Sequence, residues 1–295
     1  MPRGVAAATL PIAPDCAARA PAARSRTPLR DPPDGSNDRR ALLTFLSFCG
    51  LIFTGFFAAV LGSLVGLGGG FVAVPILRLV FSLEPTVASA TSLVMVLANS
   101  STSVVGYWRD KKIDVRIGLM IAAGAMPGSI VGVFAVHRIS GLGFDIAYGS
   151  LLVLLAAATV RRRSVASRLE GERTFLHSPA VALPVGFVLG IASSLFGVGG
   201  GIIGVPVMLI AARMAPHVVS ATSAFFIVLT APVGVIAHVV AGDVSGIYAL
   251  PLVIGALAGG AAAPPIARRL SSPQLINLLV ASFILAAIGL IARHL

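Results

Sequence analysis

The backbone and side chains able to do chemistry in this chain are few, and they recur. Ser63-Leu64-Val65-Gly66-Leu67-Gly68-Gly69-Gly70, with Pro75 behind it, returns 131 residues on as Ser194-Leu195-Phe196-Gly197-Val198-Gly199-Gly200-Gly201, with Pro206 behind it. The same offset carries Ser89-Ala90-Thr91-Ser92 onto Ser220-Ala221-Thr222-Ser223. Glycine is a poor helix former, about 1 kcal/mol worse than alanine, so both glycine runs should interrupt a helix. Pro75 and Pro206 suit the first turn of the helix that follows, where a missing N–H breaks no internal bond. A helix starting there exposes about four unpaired N–H groups and carries roughly half a positive charge. Glycine lets a ligand approach the backbone closely, and consecutive N–H groups can form an anion nest.

The chemistry that fits is binding of a small oxyanion such as sulfite, a sulfonate or a carboxylate. Its contacts are expected from Gly66, Gly68, Gly69 and Gly70 in the first copy and Gly197, Gly199, Gly200 and Gly201 in the second. The hydroxyls of Thr91, Ser92, Thr222 and Ser223 would donate to the anion's oxygens. Two blander readings stand beside this one. Small residues allow helices to pack closely in a membrane, and Ser89 and Ser220 could simply cap the helices they begin.

The elements that must position these groups are set by composition. Hydrophobic residues make up 57% of the chain and charged residues 11%, against about 25% charged in a soluble domain. Lipid must cover most of the surface, so a bilayer is one partner. The net charge of +11 comes from loops and the amino-terminal stretch, which is how membrane proteins set orientation, and it does not indicate nucleic-acid binding. Two cysteines make neither a disulfide framework nor a metal site. No cofactor and no metal are expected, and nothing in the sequence fixes an oligomeric state.

Four regions follow. Residues 1–40, with seven Arg and four Asp, read as a disordered Arg/Pro-rich tail. Residues 41–160 and 179–295 are two membrane repeats, joined by a cytoplasmic Arg-rich linker at 161–178. Each repeat holds about five apolar segments: near 42–61, 71–82, 86–107, 116–136 and 141–160, then near 179–197, 202–212, 217–241, 246–266 and 273–292. Most hold ~20 residues, enough to cross the hydrocarbon as helix. The segments directly after the glycine runs are shorter, little more than half the bilayer at 1.5 Å rise per residue. The fold class is thus an all-α polytopic membrane protein of two homologous repeats, each with a glycine-broken helix. Loop 108–116 carries Arg109, Lys111, Lys112 and Arg116, whereas its counterpart 240–247 carries no Lys or Arg. That opposite bias predicts inverted repeats. A parallel arrangement with eight crossings is the rival, and it would place the tail's arginines inside.

Ionisable residues inside membrane segments are functional candidates by default. Arg78, whose counterpart is Leu209, could attract an anion or snorkel to the interface. His238 could carry a proton, bind substrate, or sit at the interface. Asp145 is expected to reach the headgroups. Glu84, Arg213 and His217 read as interfacial anchors.

The glycine-rich run with its downstream proline, the Ala-Thr-Ser motif and their recurrence resemble the sulfite exporter TauE/SafE family, also called the toluene-sulfonate uptake permeases. The resemblance covers about 42–292. It implies a multi-pass inner-membrane transporter of sulfur-containing anions, with the family signature falling on Gly66, Gly68, Gly69, Gly70, Pro75, Thr91 and Ser92. In the second half it falls on Gly197, Gly199, Gly200, Gly201, Pro206, Thr222 and Ser223. The Arg/Pro-rich tail is not part of the family pattern.

Three function classes compete. A secondary transporter working by alternating access leads, since neither glycine run continues into the Lys-Ser or Lys-Thr of a nucleotide-binding loop. An accessory membrane subunit or assembly factor without transport is the alternative. An intramembrane hydrolase pairing Ser220 or Ser223 with His238 is disfavoured, because His238 lies roughly 22 Å along the same helix from Ser223. No enzyme activity is expected.

Overall fold

Ten α-helices and no strand occur among the described residues, 35–166, 175–211 and 214–292 of the computed structural model. They are α1 (Gly35–Val65), α2 (Gly70–Leu79), α3 (Pro85–Arg109), α4 (Val115–Val136), α5 (Gly141–Ala166), α6 (Pro179–Phe196), α7 (Gly201–Pro206), α8 (Pro216–Ala241), α9 (Gly246–Ala267) and α10 (Ser272–Ala292). A 3-10 turn at Phe175–His177 precedes α6, and a π-helical turn at Val207–Ala211 extends α7. The chain divides into two compact units, Met1–Leu42 and Leu43–Leu295. Of the first, only the helical stretch from Gly35 is described, so most of the expected tail lies outside the described residues. Helix reaches beyond two expected borders: α1 begins at Gly35 and α5 runs to Ala166. Everything below concerns the second unit.

Among the described residues, six helices are long and apolar enough to cross a membrane: α1 over Phe45–Val65, then α3, α4, α6, α8 and α9. Large apolar side chains point outward from them, among them Phe134, Val240 and Ile247 at 70%, 83% and 80% exposure. In water that surface would aggregate; in lipid it is solvated. The chain is a multi-pass membrane protein.

The short helices start earlier than their prolines suggest. Gly69 and Gly200 adopt left-handed backbone with φ of 87° and 76°, a conformation that turns the chain straight into a helix at the next residue. Pro75 and Pro206 are therefore the sixth residues of α2 and α7, not first-turn residues. Pro206 has no N–H to give the carbonyl four positions back, and there α7 widens into the π-helical turn. The expected caps also differ. Glu84 and Ala215 precede α3 and α8, with Pro85 and Pro216 in the first turn. Those prolines pre-set the helical φ, which leaves Ser89 and Ser220 inside their helices rather than capping them.

Glycine does allow close packing, but mainly along the long helices. A Cβ at Gly124, Gly128 or Gly132 of α4 would strike the carbonyls of Leu183, Phe187 and Ile191 in α6. The same happens between α9 and α1, where Gly255 and Gly259 face the Ile52 and Phe56 carbonyls. In each pair the residue numbers rise together, so α4 runs parallel to α6 and α1 parallel to α9. The two pairs are related by the 131-residue offset. By contrast, Thr91 near the start of α3 accepts from the amide of Ser245 beyond the end of α8, and Thr222 near the start of α8 accepts from Asp114 beyond the end of α3. The helices α3 and α8 therefore run in opposite directions.

This geometry puts the links 110–114 and 242–245 at opposite ends of the bundle. Accessibility reporters fused at the two links should report opposite faces of the membrane. Signals from one face would contradict the antiparallel placement of α3 and α8.

Candidate functional site

The two glycine loops meet inside the bundle. Gly66, Gly68 and Gly69 have φ of 84°, 75° and 87°, and Gly197, Gly199 and Gly200 have 67°, 79° and 76°. Other residues resist this left-handed region by about 1–2 kcal/mol each. Gly70 and Gly201 are required for another reason: a Cβ at Gly70 would strike the Gly197 carbonyl, and one at Gly201 the Gly66 carbonyl. Every residue from Gly66 to Gly70 and from Gly197 to Gly201 is buried.

The Ser-Ala-Thr-Ser motifs join the halves reciprocally. Ser92 Oγ donates to the Gly197 carbonyl at 2.8 Å, and Ser223 Oγ donates to the Gly66 carbonyl. Ser220 Oγ donates to the Leu64 carbonyl at 3.0 Å, while Ser89 Oγ turns back to Thr86. Thr91 and Thr222 hold the amides of Ser245 and Asp114 at 3.4 Å and 3.0 Å. The structure thus brings Ser92 and Ser223 onto the glycine loops and places Thr91 and Thr222 at the links. In this conformation all four are bonded to backbone of the opposite half, and the loops press against each other. The small hollow beside them is mainly apolar, walled by Val65, Val205, Leu209, Pro216, Val219 and Leu275 together with Ser220.

The two loops are not held equally. Asn99 Nδ2 donates to the Gly68 carbonyl at 3.0 Å, Ser63 Oγ donates to Asn99 Oδ1 at 2.8 Å, and Tyr107 donates to the Ser63 carbonyl at 2.8 Å. The position matching Asn99 is Thr230, whose hydroxyl returns to Phe226 of its own helix at 3.0 Å. Around the second loop three buried groups have no partner among the described residues: Ser193 Oγ, Ser194 Oγ and Tyr148 OH. A Cβ at Gly200 would lie 3.6 Å from Ser193 Cβ, and the Tyr148 ring is 5.2 Å from that of Phe196. No side chain caps either short helix at Gly69 or Gly200. A buried polar group without a partner costs about 1–3 kcal/mol, so such a cluster calls for an explanation.

The ionisable candidates are placed differently from expectation. Arg78 neither snorkels nor faces an open path. It is buried, with Nη2 2.6 Å from Asp145 Oδ2 and Nε 2.9 Å from Oδ1, and it also donates to the Leu83 and Gly141 carbonyls. Asp145 accordingly does not reach the headgroups; it is 3% exposed, because the cation it needs lies on α2. His238 is not interfacial but fully buried, with Nδ1 2.8 Å from Asp243 Oδ2 and Nε2 3.1 Å from the Ser194 carbonyl. It is not paired with Ser220 or Ser223. His217 and Glu84 sit at helix starts, and Arg213 lies outside the described residues.

Sequence reasoning missed Asp243, His137, Ser193 and Ser194. His137 Nε2 is 3.1 Å from the second Asp243 oxygen, and its Nδ1 is 2.8 Å from the Val133 carbonyl. That carbonyl raises the His137 pKa above the usual 6.5; partial burial opposes the rise and Asp243 reinforces it. The only available signal was an Asp five residues after a membrane-embedded His.

A family profile described as "Sulfite exporter TauE/SafE" matches residues 51–290. The chain is 30% identical over 267 residues to the "Probable membrane transporter protein YunE" of Bacillus subtilis (strain 168), covering 83% of this chain and 98% of that one. It is 29% identical over 224 residues to a "Probable membrane transporter protein" of Xylella fastidiosa strain Temecula1, covering 72% and 83%. Over 106 residues it is 34% identical to "Sulfite exporter TauE/SafE family protein 3" of Arabidopsis thaliana, covering 36% of this chain and 21% of that one. No solved structure matches.

The Arg78–Asp145 pair provides a test of how the first half is held. Replacing Arg78 with Leu leaves a buried carboxylate without its cation and should lower stability by about 3–5 kcal/mol. The double variant Arg78→Leu/Asp145→Ile, which copies Leu209 and Ile276 of the second half, should recover most of that loss. Thermal unfolding in detergent reads both. A double variant no more stable than the single one would contradict the pairing.

Proposed function

The chain belongs to the sulfite exporter TauE/SafE family, and on that premise we propose that it is a secondary transporter of small sulfur-containing anions such as sulfite or organosulfonates. The observation that carries the reading is the pair of glycine-broken helices meeting within the bundle, with the unpartnered Ser193 and Ser194 hydroxyls beside the second. Irregular backbone at membrane depth is tolerated only where protein buries it or it lines a wet cavity, and two such breaks in corresponding positions mark the binding site of transporters built from repeats. The antiparallel α3 and α8 support inverted repeats.

In this reading the described conformation is closed. Ser92 and Ser223 hold the two loops together through the Gly197 and Gly66 carbonyls. An arriving anion draws the second loop away from the first. It then takes the amides at the head of α7 and the Ser193 and Ser194 hydroxyls, while Arg78 stays committed to Asp145. Alternating access follows if the halves rock about the paired loops. Basic residues gather at one end of the bundle: Arg109, Lys111, Lys112 and Arg116 around one link, and Arg268, which pairs with Asp110 at 2.8 Å. The positive-inside rule places that end in the cytoplasm of a plasma membrane. An inside-negative potential then drives anion exit at about 2.3 kcal/mol per charge per 100 mV, whereas uptake requires a coupling ion.

Purified protein in liposomes should move radiolabelled sulfite down its gradient. Ser193→Ala together with Ser194→Ala should cut that flux about tenfold, the equivalent of ~1.4 kcal/mol for lost hydrogen bonds, while the variant inserts and unfolds normally. No flux of sulfite or any sulfonate from folded protein would refute the reading, and undiminished flux in the variant would remove these hydroxyls from the site.

A further inference from the structure

We infer that His137, Asp243 and His238 form a proton-binding site that couples anion movement to a proton; the coupling rests on the transport reading above, whereas the proton site does not.

The argument is a count of hydrogens. Four ring nitrogens face four oxygens: His137 Nδ1 faces the Val133 carbonyl and Nε2 faces Asp243 Oδ1, while His238 Nδ1 faces Asp243 Oδ2 and Nε2 faces the Ser194 carbonyl. The separations run from 2.8 to 3.1 Å, and each contact is a hydrogen bond only if one hydrogen lies in it. Two neutral imidazoles and a carboxylate supply two hydrogens. All four contacts close only when the cluster holds four, a net charge of +1. With three, the cluster is neutral, and one nitrogen lone pair faces an oxygen with no hydrogen between them. The four separations fit the cluster holding four hydrogens, and one proton can leave it without stranding a net charge in the membrane.

The route for that proton is built in. The His137 side chain is 39% exposed, Asp243 9% and His238 0%. Water reaches His137 first. A proton taken up by His137 crosses from its Nε2 to Asp243 Oδ1, and a half-turn of the Asp243 carboxyl group then brings that hydrogen to His238 Nδ1. The raised pKa of His137 keeps this entry step within reach of ordinary pH. His238 in turn donates to the carbonyl of Ser194, whose hydroxyl is one of the unpartnered groups and which stands three residues before Gly197. Loss of the proton from Nδ1 opens the His238–Asp243 contact and leaves the ring free to turn away from the Ser194 carbonyl, which loosens the end of α6 and with it the second glycine loop.

Few other charges compete. From the neighbouring elements, α6 contributes no titratable side chain. Of the titratable residues on α3 and α4, Tyr107, Arg109 and Arg116 lie at the opposite end. Glu84, Arg138 and Tyr248 lie at the same end, and no bond to the three is recorded for them among the described residues. The offset equivalent of His238 is Tyr107, which donates to the Ser63 carbonyl. The equivalent of His137 is Arg268, locked to Asp110 at 2.8 Å. A related latch, without the shared carboxylate, thus exists at the other end of the bundle, and only the His137–Asp243–His238 version is built on histidines, the side chain whose ordinary pKa lies near neutral pH. That version lies away from the basic links, on the face the charge rule places outside the cell, where protons enter under a normal gradient.

Nitrogen-15 NMR of histidine-labelled full-length protein in micelles tests the proton site without any substrate. From pH 5 to 9, His137 and His238 should both be doubly protonated at the acid end and lose one proton between them at a shared midpoint. Asp243→Asn should lower that midpoint by about one pH unit or more, and His137→Gln should abolish the shared step. A singly protonated His238 throughout, or a titration indifferent to both variants, would overturn the site. For coupling, the probe is radiolabelled methanesulfonate, whose charge is constant over this range. With the His137 face acidic, wild-type proteoliposomes should accumulate it above equilibrium, and His238→Gln should only equilibrate it. Downhill entry without accumulation in wild type, or equal accumulation in the variant, would overturn coupling. Absence of even downhill entry would count against the transport reading, and the titration would still judge the proton site.

Discussion

The structure rests on the burial of two irregular stretches of backbone where no water can serve them. Within a bilayer every N–H and C=O must find a partner in the protein. The carbonyls of Gly66 and Gly197 find theirs in Ser223 and Ser92, side chains from the opposite half. That reciprocity explains why the Ser-Ala-Thr-Ser motif recurs with the glycine runs at one offset: neither loop is satisfied alone. The halves cannot separate there without breaking these two bonds.

Two halves that share the same motifs at one offset are held unequally. The first loop is fixed by Asn99, Ser63 and Tyr107, and α2 is tied to α5 by the Arg78–Asp145 pair. The second half has Thr230, Leu209 and Ile276 at the matching positions of Asn99, Arg78 and Asp145. In place of those restraints it carries a π-helical turn, unpartnered hydroxyls and a titratable histidine. Such π-turns recur at functional sites. A fixed half and an adjustable half are what a device needs if binding at one loop is to move one element against another.

Much of the fold was legible in the sequence. Long apolar runs gave α3, α4, α8 and α9 nearly to the residue, because hydrophobicity and terminal prolines act locally. The glycine breaks were legible too, since six positions of positive φ tolerate little else. What failed was pairing over distance. Arg78 and Asp145 are 67 residues apart and could not be matched from one chain, so Asp145 was expected at the headgroups and Arg78 either on an anion or at the interface. The proton, substrate and interfacial readings of His238 stayed open because its partners come from the Gly242–Ser245 link and from α6. The hydroxyls of Thr91 and Thr222 were expected on a ligand; in this conformation they accept from the amides of opposing links, which one chain's sequence does not show. Pro75 was expected one turn early, because a left-handed Gly69 starts α2 sooner than proline statistics suggest.

Hydrogen–deuterium exchange of the two glycine loops, compared within one sample, tests the unequal restraint most directly. The amides of Gly66–Phe71 should exchange slowly with or without sulfite. Those of Gly197–Ile202 should exchange measurably faster and become protected when sulfite is added. Equal exchange in the two loops, unchanged by the anion, would contradict the account.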